Sequence, residues 1–173
     1  MNLLESFKPI TTLIFDIDGV LTDGSILVFE TGEQVRQMNV KDGYALQLAI
    51  QKKYHVAVIS GGNGLGAGIR LEKLGITDVF LNIKDKLKTL EAYLKKNEIT
   101  WAQTLYMGDD IPDLQVLQNA GMPCAPSDAA PEILQAARYI SPHGGGKGCV
   151  RDVIEKLLRL QGNWELDTFI SSL

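Results

Sequence analysis

The fold is decided by one stretch of sequence, Thr12-Leu13-Ile14-Phe15-Asp16-Ile17-Asp18-Gly19-Val20. Its first four residues form a short apolar run, which is typical of a strand buried on both faces of a parallel sheet. The run ends at Asp16, and a second carboxylate, Asp18, follows two residues later. We therefore predict a strand over residues 12–15 with two acidic side chains on the turn that leaves it.

The same pattern of an apolar run ending in polar residues recurs along the chain. It predicts strands at 55–59, 78–81 and 104–107, with weaker candidates at 122–125 and 139–140. Helical patterns lie between or after these runs, at 43–53, 65–74, 84–97, 113–119, 131–137 and 149–160. Alternation of strand and helix predicts an α/β fold: an open parallel Rossmann-like sheet with right-handed crossovers and helices on both faces.

One segment breaks this alternation and indicates a β-hairpin insert after the first strand, at about residues 24–40. Its arms are predicted at 26–29 and 34–40, and Thr31-Gly32 forms the turn between them. The residues from about 161 onward are predicted to form a flexible tail. With 173 residues the whole chain, 1–173, is expected to form a single domain.

Composition excludes several classes of protein. A net charge of -4 and a pI near 5.2 argue against nucleic acid as a partner, because binding the phosphate backbone needs a clustered basic surface. No apolar run approaches the length of a membrane span, and the N-terminus lacks the features of a secretory signal, so the expected compartment is the cytoplasm. The two cysteines, Cys124 and Cys149, have neither disulfide-framework nor zinc-site spacing.

Polar residues follow the predicted strands, or begin the helices next to them, at the edge where open α/β sheets bind ligands. We expect folding to bring them into one cleft. Like charges so close together destabilise one another unless a cation neutralises them, and Mg²⁺ prefers oxygen ligands of this kind. Ser60 is suited to donate to a phosphoryl oxygen, and Lys86 to supply positive charge. The full set is Asp16, Asp18, Ser60, Lys86, Asp109, Asp110 and Asp113.

Each of these residues has an ordinary structural explanation when taken singly. A strand-end Asp or Ser is commonly a helix cap, and a helix Lys is commonly solvated. A signalling receiver domain also carries a phosphorylated Asp, a hydroxyl residue and a Lys at strand ends. Asp18 argues against a receiver, because a second carboxylate supplies the acid/base function that speeds hydrolysis. A noncatalytic interaction protein with the same fold would leave the ordered set of polar residues unexplained.

With these residues in order, the chain resembles the haloacid dehalogenase-like phosphatase superfamily. Its four motifs match Asp16-x-Asp18-Gly19-Val20, then Ser60, then Lys86, then Gly108-Asp109-Asp110-x-x-Asp113. Within the superfamily the chain is similar to the capless branch that contains the 3-deoxy-D-manno-octulosonate 8-phosphate phosphatases, over about residues 13–162. This resemblance implies a phosphoric monoester hydrolase of lipopolysaccharide biosynthesis that works as a homotetramer, in which the hairpin and tail of neighbouring subunits help to close the site.

The resemblance also implies residue roles. Asp16 would attack phosphorus, and Asp18 would protonate the leaving group and then activate water. Magnesium would be held by the Asp16 carboxylate, the main-chain carbonyl of Asp18, and Asp109. Of the remaining members, Ser60, Gly61 and Lys86 would bind phosphoryl oxygens. Asp110 and Asp113 would support the metal shell or orient Lys86.

The chain departs from the family after Ser60-Gly61, where the usual arginine is missing and Gly62 stands instead. We expect Lys147 or Arg70 to supply a cationic contact to the substrate, with Lys147 presented by a flexible glycine loop at 144–148. Related phosphatases act on nine-carbon sialic-acid-type 9-phosphates, whose carboxylate and hydroxyls resemble those of the eight-carbon sugar acid. The substrate thus remains open between these two small-molecule phosphate esters.

Overall fold

The structure is a computed structural model, and it describes residues 3–170 of the chain. Its strands are β1 (Thr12–Phe15), β2 (Leu27–Val28), β3 (Gln34–Val35), β4 (His55–Ile59), β5 (Asp78–Phe80), β6 (Thr104–Met107), β7 (Met122–Ala125) and β8 (Tyr139–Ile140). Its helices are α1 (Leu3–Ser6), α2 (Val40–Gln51), α3 (Leu65–Lys73), α4 (Lys86–Lys96), α5 (Leu114–Asn119), α6 (Pro131–Ala136) and α7 (Cys149–Leu160). No helix within residues 3–170 has the length and apolar character needed to cross a membrane.

The main sheet is parallel and has the strand order β5-β4-β1-β6-β7-β8. From β1 the chain passes to β4 and β5 on one side, then returns to β6, β7 and β8 on the other. The strand order therefore reverses beside β1, and in open α/β sheets ligands bind outside the carboxyl ends of the strands at such a reversal. The predicted open parallel sheet is confirmed.

Each central strand alternates its side chains between two hydrophobic layers. In β1, Leu13 and Phe15 pack with residues of α2, α3 and α7, whereas Ile14 packs with residues of α4, α5 and α6. All four residues of β1 are buried. Helices thus cover both faces of the sheet, which explains why the strand is a continuous apolar run.

Several predicted boundaries shift because a side chain caps a helix. The hydrogen bond from the Lys41 N–H to the Asn39 side chain, 2.9 Å, starts α2 at Val40, three residues before the predicted start. The second arm of the predicted hairpin therefore loses Val40 to α2, and its strand ends already at Val35. Likewise Asp85 accepts from the Lys88 N–H at 2.9 Å, so α4 begins at Lys86 rather than at residue 84.

The predicted hairpin insert is present as the antiparallel pair β2 and β3. It turns as expected, with the Phe29 N–H donating to the Glu33 carbonyl and Gly32 in the left-handed region at φ +83°. Its arms are two residues each, much shorter than predicted. Leu27 and Val28 are 61% and 62% exposed. This ribbon therefore has little contact of its own with the core.

The predicted tail has contacts with the body of the protein as far as it is described. Gln161 donates to the main-chain carbonyls of Phe7 and Ile10, both at 2.8 Å. Further on, Trp164 packs against the core, and the Asp167 N–H donates to the Tyr44 hydroxyl. Residues 1–2 and 171–173, which belong to the predicted N-terminus and tail, lie outside the described residues.

Candidate active site

The site begins at the turn that leaves β1. Asp16 follows the strand, and its N–H donates to the Met107 carbonyl of the neighbouring strand at 3.0 Å. The turn is closed by the Thr22 N–H, which donates to the Ile17 carbonyl at 3.0 Å. Gly19 has φ +83°, and a Cβ there would lie 1.9 Å from an oxygen of Asp109. Only glycine therefore allows this turn and the second acidic segment to approach so closely.

Three carboxylates from two segments converge at this edge of the sheet. Asp16, Asp109 and Asp113 each place an oxygen within 4.8 Å of the others. Burial, reinforced by the charge of Asp113, raises the pKa of both Asp16 and Asp109 to about 7. These carboxylates are thus difficult to ionise together unless a positive charge lies beside them.

Lys86 supplies one positive charge from the first turn of α4. Its Nζ lies 2.6 Å from Asp113 Oδ1 and 3.1 Å from Asp16 Oδ1, and its side chain is almost fully buried. Burial acts to lower the pKa of Lys86, but Asp16 and Asp113 outweigh it and raise that pKa. Lys86 is therefore held as a buried cation between the carboxylates of Asp16 and Asp113.

Asp113 has the role of an anchor. Its Oδ1 accepts from Lys86 Nζ and from the buried Tyr106 hydroxyl. Its Oδ2 accepts from the Asp109 N–H at 3.1 Å and, at the limit of hydrogen bonding, from that of Asp110 at 3.5 Å. Both oxygens are therefore engaged, and Asp113 fixes the second acidic segment and Lys86 relative to each other.

The remaining carboxylates fit a hard cation such as a divalent metal ion. Asp16 Oδ1 is buried and makes no hydrogen bond, because the geometry of its contact with Lys86 is that of an ion pair alone. Asp109 faces the same space across Gly19. Two close carboxylates, one of them with an oxygen that makes no hydrogen bond, are the donors that an oxygen-preferring cation requires.

Asp18 is paired with an arginine that the sequence analysis did not select. The Arg36 guanidinium donates from Nε to Asp18 Oδ1 at 2.6 Å and from Nη2 to Oδ2 at 3.1 Å. Arg36 follows β3 in the hairpin, so the insert reaches directly into the site. The Asp18 side chain keeps 30% of its surface exposed, which leaves it accessible to a substrate.

Ser60 and Gly61 follow β4 at the same edge. Ser60 is buried, and its Oγ accepts from the Gly62 N–H at 3.1 Å. A Cβ at Gly62 would lie 3.6 Å from this Oγ and 3.2 Å from Asp18 Oδ2, which places Ser60 and Asp18 on either side of Gly62. Gly61 is exposed beside them. Ser60 thus lies at the same edge of the sheet as Asp18.

A groove of about 950 Å³ runs between the hairpin and α3, and Arg36 is one of its lining residues. Arg70 also lines it, and its buried Nη2 makes no hydrogen bond. The predicted cation Lys147 lies elsewhere: its Nζ is 3.6 Å from Asp23, and its side chain is 65% exposed. The structure therefore places Arg70, but not Lys147, on the groove beside Asp18.

The glycine loop at 144–148 packs on the turn that follows β1. The Gly146 N–H donates to the Val20 carbonyl at 2.9 Å, and the Gly145 N–H donates to Asp128 Oδ1 at 2.9 Å. A Cβ at Gly145 would lie 2.1 Å from the Gly19 carbonyl oxygen. This loop thus supports the turn that carries Asp16 and Asp18.

The chain is similar to known proteins in sequence and in fold. Residues 71–151 match the model of the haloacid dehalogenase-like hydrolases. The chain is 37% identical over 161 residues to the 3-deoxy-D-manno-octulosonate 8-phosphate phosphatase KdsC of Escherichia coli K12, covering 93% of this chain and 86% of the relative. The chain belongs to the haloacid dehalogenase-like hydrolase family.

Solved structures of related phosphatases show the same fold. One is 3-deoxy-D-manno-octulosonate 8-phosphate phosphatase from Moraxella catarrhalis in complex with a magnesium ion, a phosphate ion and a KDO molecule. It has a TM-score of 0.90 and 32% identity, with 93% of this chain and 92% of that chain covered. The enzyme of the same name from Yersinia pestis has a TM-score of 0.91 and 34% identity, covering 93% and 87%. Like these relatives, the chain is a phosphoric monoester hydrolase.

Two residues of this haloacid dehalogenase-like site escaped the sequence analysis. Tyr106 lies inside an apolar strand, so its pattern indicated core packing and gave no sign of its bond to Asp113. Arg36 lies in the hairpin insert, 18 residues from the carboxylate it binds. A signal for Arg36 existed in the turn 61–64, because its three glycines at a strand end leave room for a group from elsewhere.

Proposed function

We propose that the protein hydrolyses 3-deoxy-D-manno-octulosonate 8-phosphate to the sugar acid and phosphate, through a phosphorylated Asp16. The observation that carries this proposal is the placement of a buried, hydrogen-bond-free Asp16 oxygen beside Lys86 and Asp109. The relatives named for this substrate support the choice of sugar acid.

In the first step an oxygen of Asp16 bonds to phosphorus as the ester bond to the sugar breaks. Asp18 donates its proton to the leaving alkoxide. In the second step Asp18 takes a proton from water, the water oxygen bonds to phosphorus, and the bond to Asp16 breaks to release phosphate. Lys86 and Ser60 bind the phosphoryl oxygens, whose negative charge is spread over the group during transfer.

The proposed cofactor is Mg²⁺, held by the carboxylates of Asp16 and Asp109 and by the main-chain carbonyl of Asp18. When bound, it would neutralise the crowded carboxylates and the charge of the phosphoryl group. Asp113 and Asp110 support this set: Asp113 fixes the segment through the Asp109 N–H, and Asp110 caps the turn that brings Asp113 back.

The substrate proposal is tested with a panel of phosphate esters in the presence of Mg²⁺. The panel contains the eight-carbon sugar-acid 8-phosphate, a sialic-acid-type 9-phosphate and p-nitrophenyl phosphate. The highest kcat/KM is expected for the first. A preference for the nine-carbon ester would replace the substrate but keep the reaction, and failure to hydrolyse any phosphate ester would overturn the proposal in favour of a receiver-like or noncatalytic role.

We further propose that the chain acts as a single domain within a homotetramer in which the hairpin packs on a neighbouring subunit. The support is the exposed apolar surface of the ribbon, since a two-stranded hairpin is marginally stable alone and large apolar patches mark interaction sites. Its exposed residues are Ile26, Leu27, Val28, Phe29 and Val35. Sedimentation velocity tests this proposal, and a fully active monomer would contradict it.

A further inference from the structure

Arg36 comes from an exposed ribbon, yet its side chain is largely shielded from solvent. Its side chain is 7% exposed, whereas neighbouring Val35 is 40% exposed. Both donors that face Asp18 are used in a bidentate pair. A planar fork that binds both oxygens of a carboxylate fixes the orientation of that carboxylate.

The turn after Ser60 is built around this guanidinium. A Cβ at Gly62 would lie 3.3 Å from Arg36 Nη2 and 3.2 Å from Asp18 Oδ2. A Cβ at Gly64 would lie 3.9 Å from Arg36 Cζ. The backbone at Gly62 is outside the left-handed region, so the absence of a side chain there is not needed for the turn itself. The missing side chain at Gly62 instead leaves the space that the Arg36 guanidinium occupies.

We propose that Arg36 is the positioning residue for Asp18, and that the glycine-rich turn 61–64 serves to house its guanidinium. This inference rests on the proposed function, in which Asp18 transfers protons to the leaving group and from water. The shorter bond, from Nε to Oδ1, holds the carboxylate in place. Oδ2, with the longer bond of 3.1 Å, is the oxygen that exchanges the proton.

The two cations that contact the carboxylates of the site therefore have separate tasks. Lys86 is committed to Asp16 and Asp113, on the side of the nucleophile. Arg36 contacts Asp18, on the side of the leaving group. Because Arg36 belongs to the hairpin, a shift of the hairpin would move the acid/base residue Asp18 but not the nucleophile Asp16.

The test compares kcat for two substrates that differ in their need for an acid. The sugar-acid phosphate has a poor alkoxide leaving group, whereas p-nitrophenol leaves without a proton. General acid–base catalysis contributes about 10²- to 10⁴-fold, and we expect Arg36→Ala to lose part of it, roughly 10- to 100-fold on the sugar-acid phosphate, and less than about threefold on p-nitrophenyl phosphate. Arg36→Lys should recover part of the loss. Asp18→Asn, measured in parallel, should show the same selectivity with a larger loss.

A double-mutant cycle adds a second, milder disturbance. In Gly62→Ala the new methyl group presses on the Arg36–Asp18 pair, and we expect a loss of about fivefold on the sugar-acid phosphate alone. Residues that act through one contact are not additive, so the same change in an Arg36→Ala background should add less than about twofold. Gly66→Ala is the matched control, because a Cβ at Gly66 meets nothing within 4 Å.

Arg159→Ala is the control for losing an arginine–carboxylate pair, since Arg159 binds Glu155 at the end of α7. The inference is overturned, with the proposed function intact, if Asp18→Asn is selective but Arg36→Ala slows both substrates equally or neither. If Asp18→Asn itself is not selective, the acid/base role fails and the inference fails with it. Should Arg36→Ala not fold, Arg36→Lys and Gly62→Ala give the same readouts.

Discussion

The carboxyl edge of the sheet and the hairpin insert contribute to one site by opposite means. At the sheet edge, Asp16 follows a strand whose residues are all buried, and Lys86 and Asp113 are themselves almost fully buried. In the hairpin, Leu27 and Val28 are more than half exposed, and each arm has only two residues. The hairpin nevertheless places Arg36 in contact with Asp18. The crowded carboxylates at the sheet edge need rigid support. The contact that orients Asp18, in contrast, comes from a two-stranded hairpin, an element that is only marginally stable alone.

The largest effect expected at the sheet edge is that of Asp16→Asn. An amide is a poor nucleophile, so kcat on p-nitrophenyl phosphate should fall by at least about 10⁴-fold. Circular dichroism and thermal unfolding should show an intact fold. Asp23→Asn, an acid-to-amide change at an exposed position past the same turn, should keep activity within about threefold. Near-normal turnover by Asp16→Asn would show that Asp16 is not the nucleophile.

Removal of divalent metal should have the next largest effect. Treatment with EDTA is expected to abolish activity, and Mg²⁺ to restore it, because the carboxylates of Asp16 and Asp109 need a cation beside them. Calcium, which is larger and less strict in geometry, should restore little. Mg²⁺ should also raise the unfolding temperature of the wild type by binding the native state, but not that of Asp109→Asn. Activity that persists in EDTA would contradict this requirement.

Lys86→Met tests the difference between the sheet edge and the hairpin through the free energy of unfolding. Removing one partner of a buried pair leaves an uncompensated charge on Asp113, so the free energy of unfolding should fall by about 3 kcal/mol. Arg36→Ala should lower it by less than about 1 kcal/mol, because Asp18 remains partly solvated. Urea unfolding measures both. The double variant Lys86→Met/Asp113→Asn should regain part of the loss, and equal losses for Lys86 and Arg36 would remove the distinction between the two regions.

The smallest effect is expected from Leu27→Asp in the hairpin. A surface substitution should change the stability of the monomer by about 0.5 kcal/mol or less, yet it should dissociate the proposed tetramer. Sedimentation velocity would follow the assembly. Activity on the sugar-acid phosphate should fall several-fold. Leu160→Asp, outside the hairpin, should leave the assembly unchanged, and an intact tetramer for Leu27→Asp would place the interface elsewhere.

The same two regions explain what the sequence could predict. Strand ends are visible as apolar runs that stop at polar residues, and parallel strands bring such residues to one edge, so Asp16, Ser60 and Asp109 could be grouped in advance. Lys86 was found because a helix start follows a strand. The individual hydrogen bonds of Asp113 were not visible, because they depend on which of its oxygens meets which donor.

The contribution of the hairpin could not be predicted in the same way. A ribbon that leaves the sheet has no periodic relation to it, so its direction is set by tertiary contacts. The sequence analysis therefore considered only Lys147 and Arg70, as cations that would contact the substrate. It did not anticipate Arg36, the cation that binds Asp18. The loop with Lys147 instead packs its glycines against the turn after β1, and these close approaches depend on the missing side chains.

The phosphorylated Asp16 is tested most directly by trapping it. Asp18→Asn should form the acyl phosphate from p-nitrophenyl phosphate but hydrolyse it slowly, because the base that activates water is lost. After Mg²⁺-dependent reaction and acid quench, mass spectrometry of the digested protein should find one phosphoryl group on the peptide that contains Asp16. Hydroxylamine should remove it, as expected for an acyl phosphate. Steady release of phosphate with no phosphorylated peptide, or a phosphoryl group on any other residue, would contradict the mechanism.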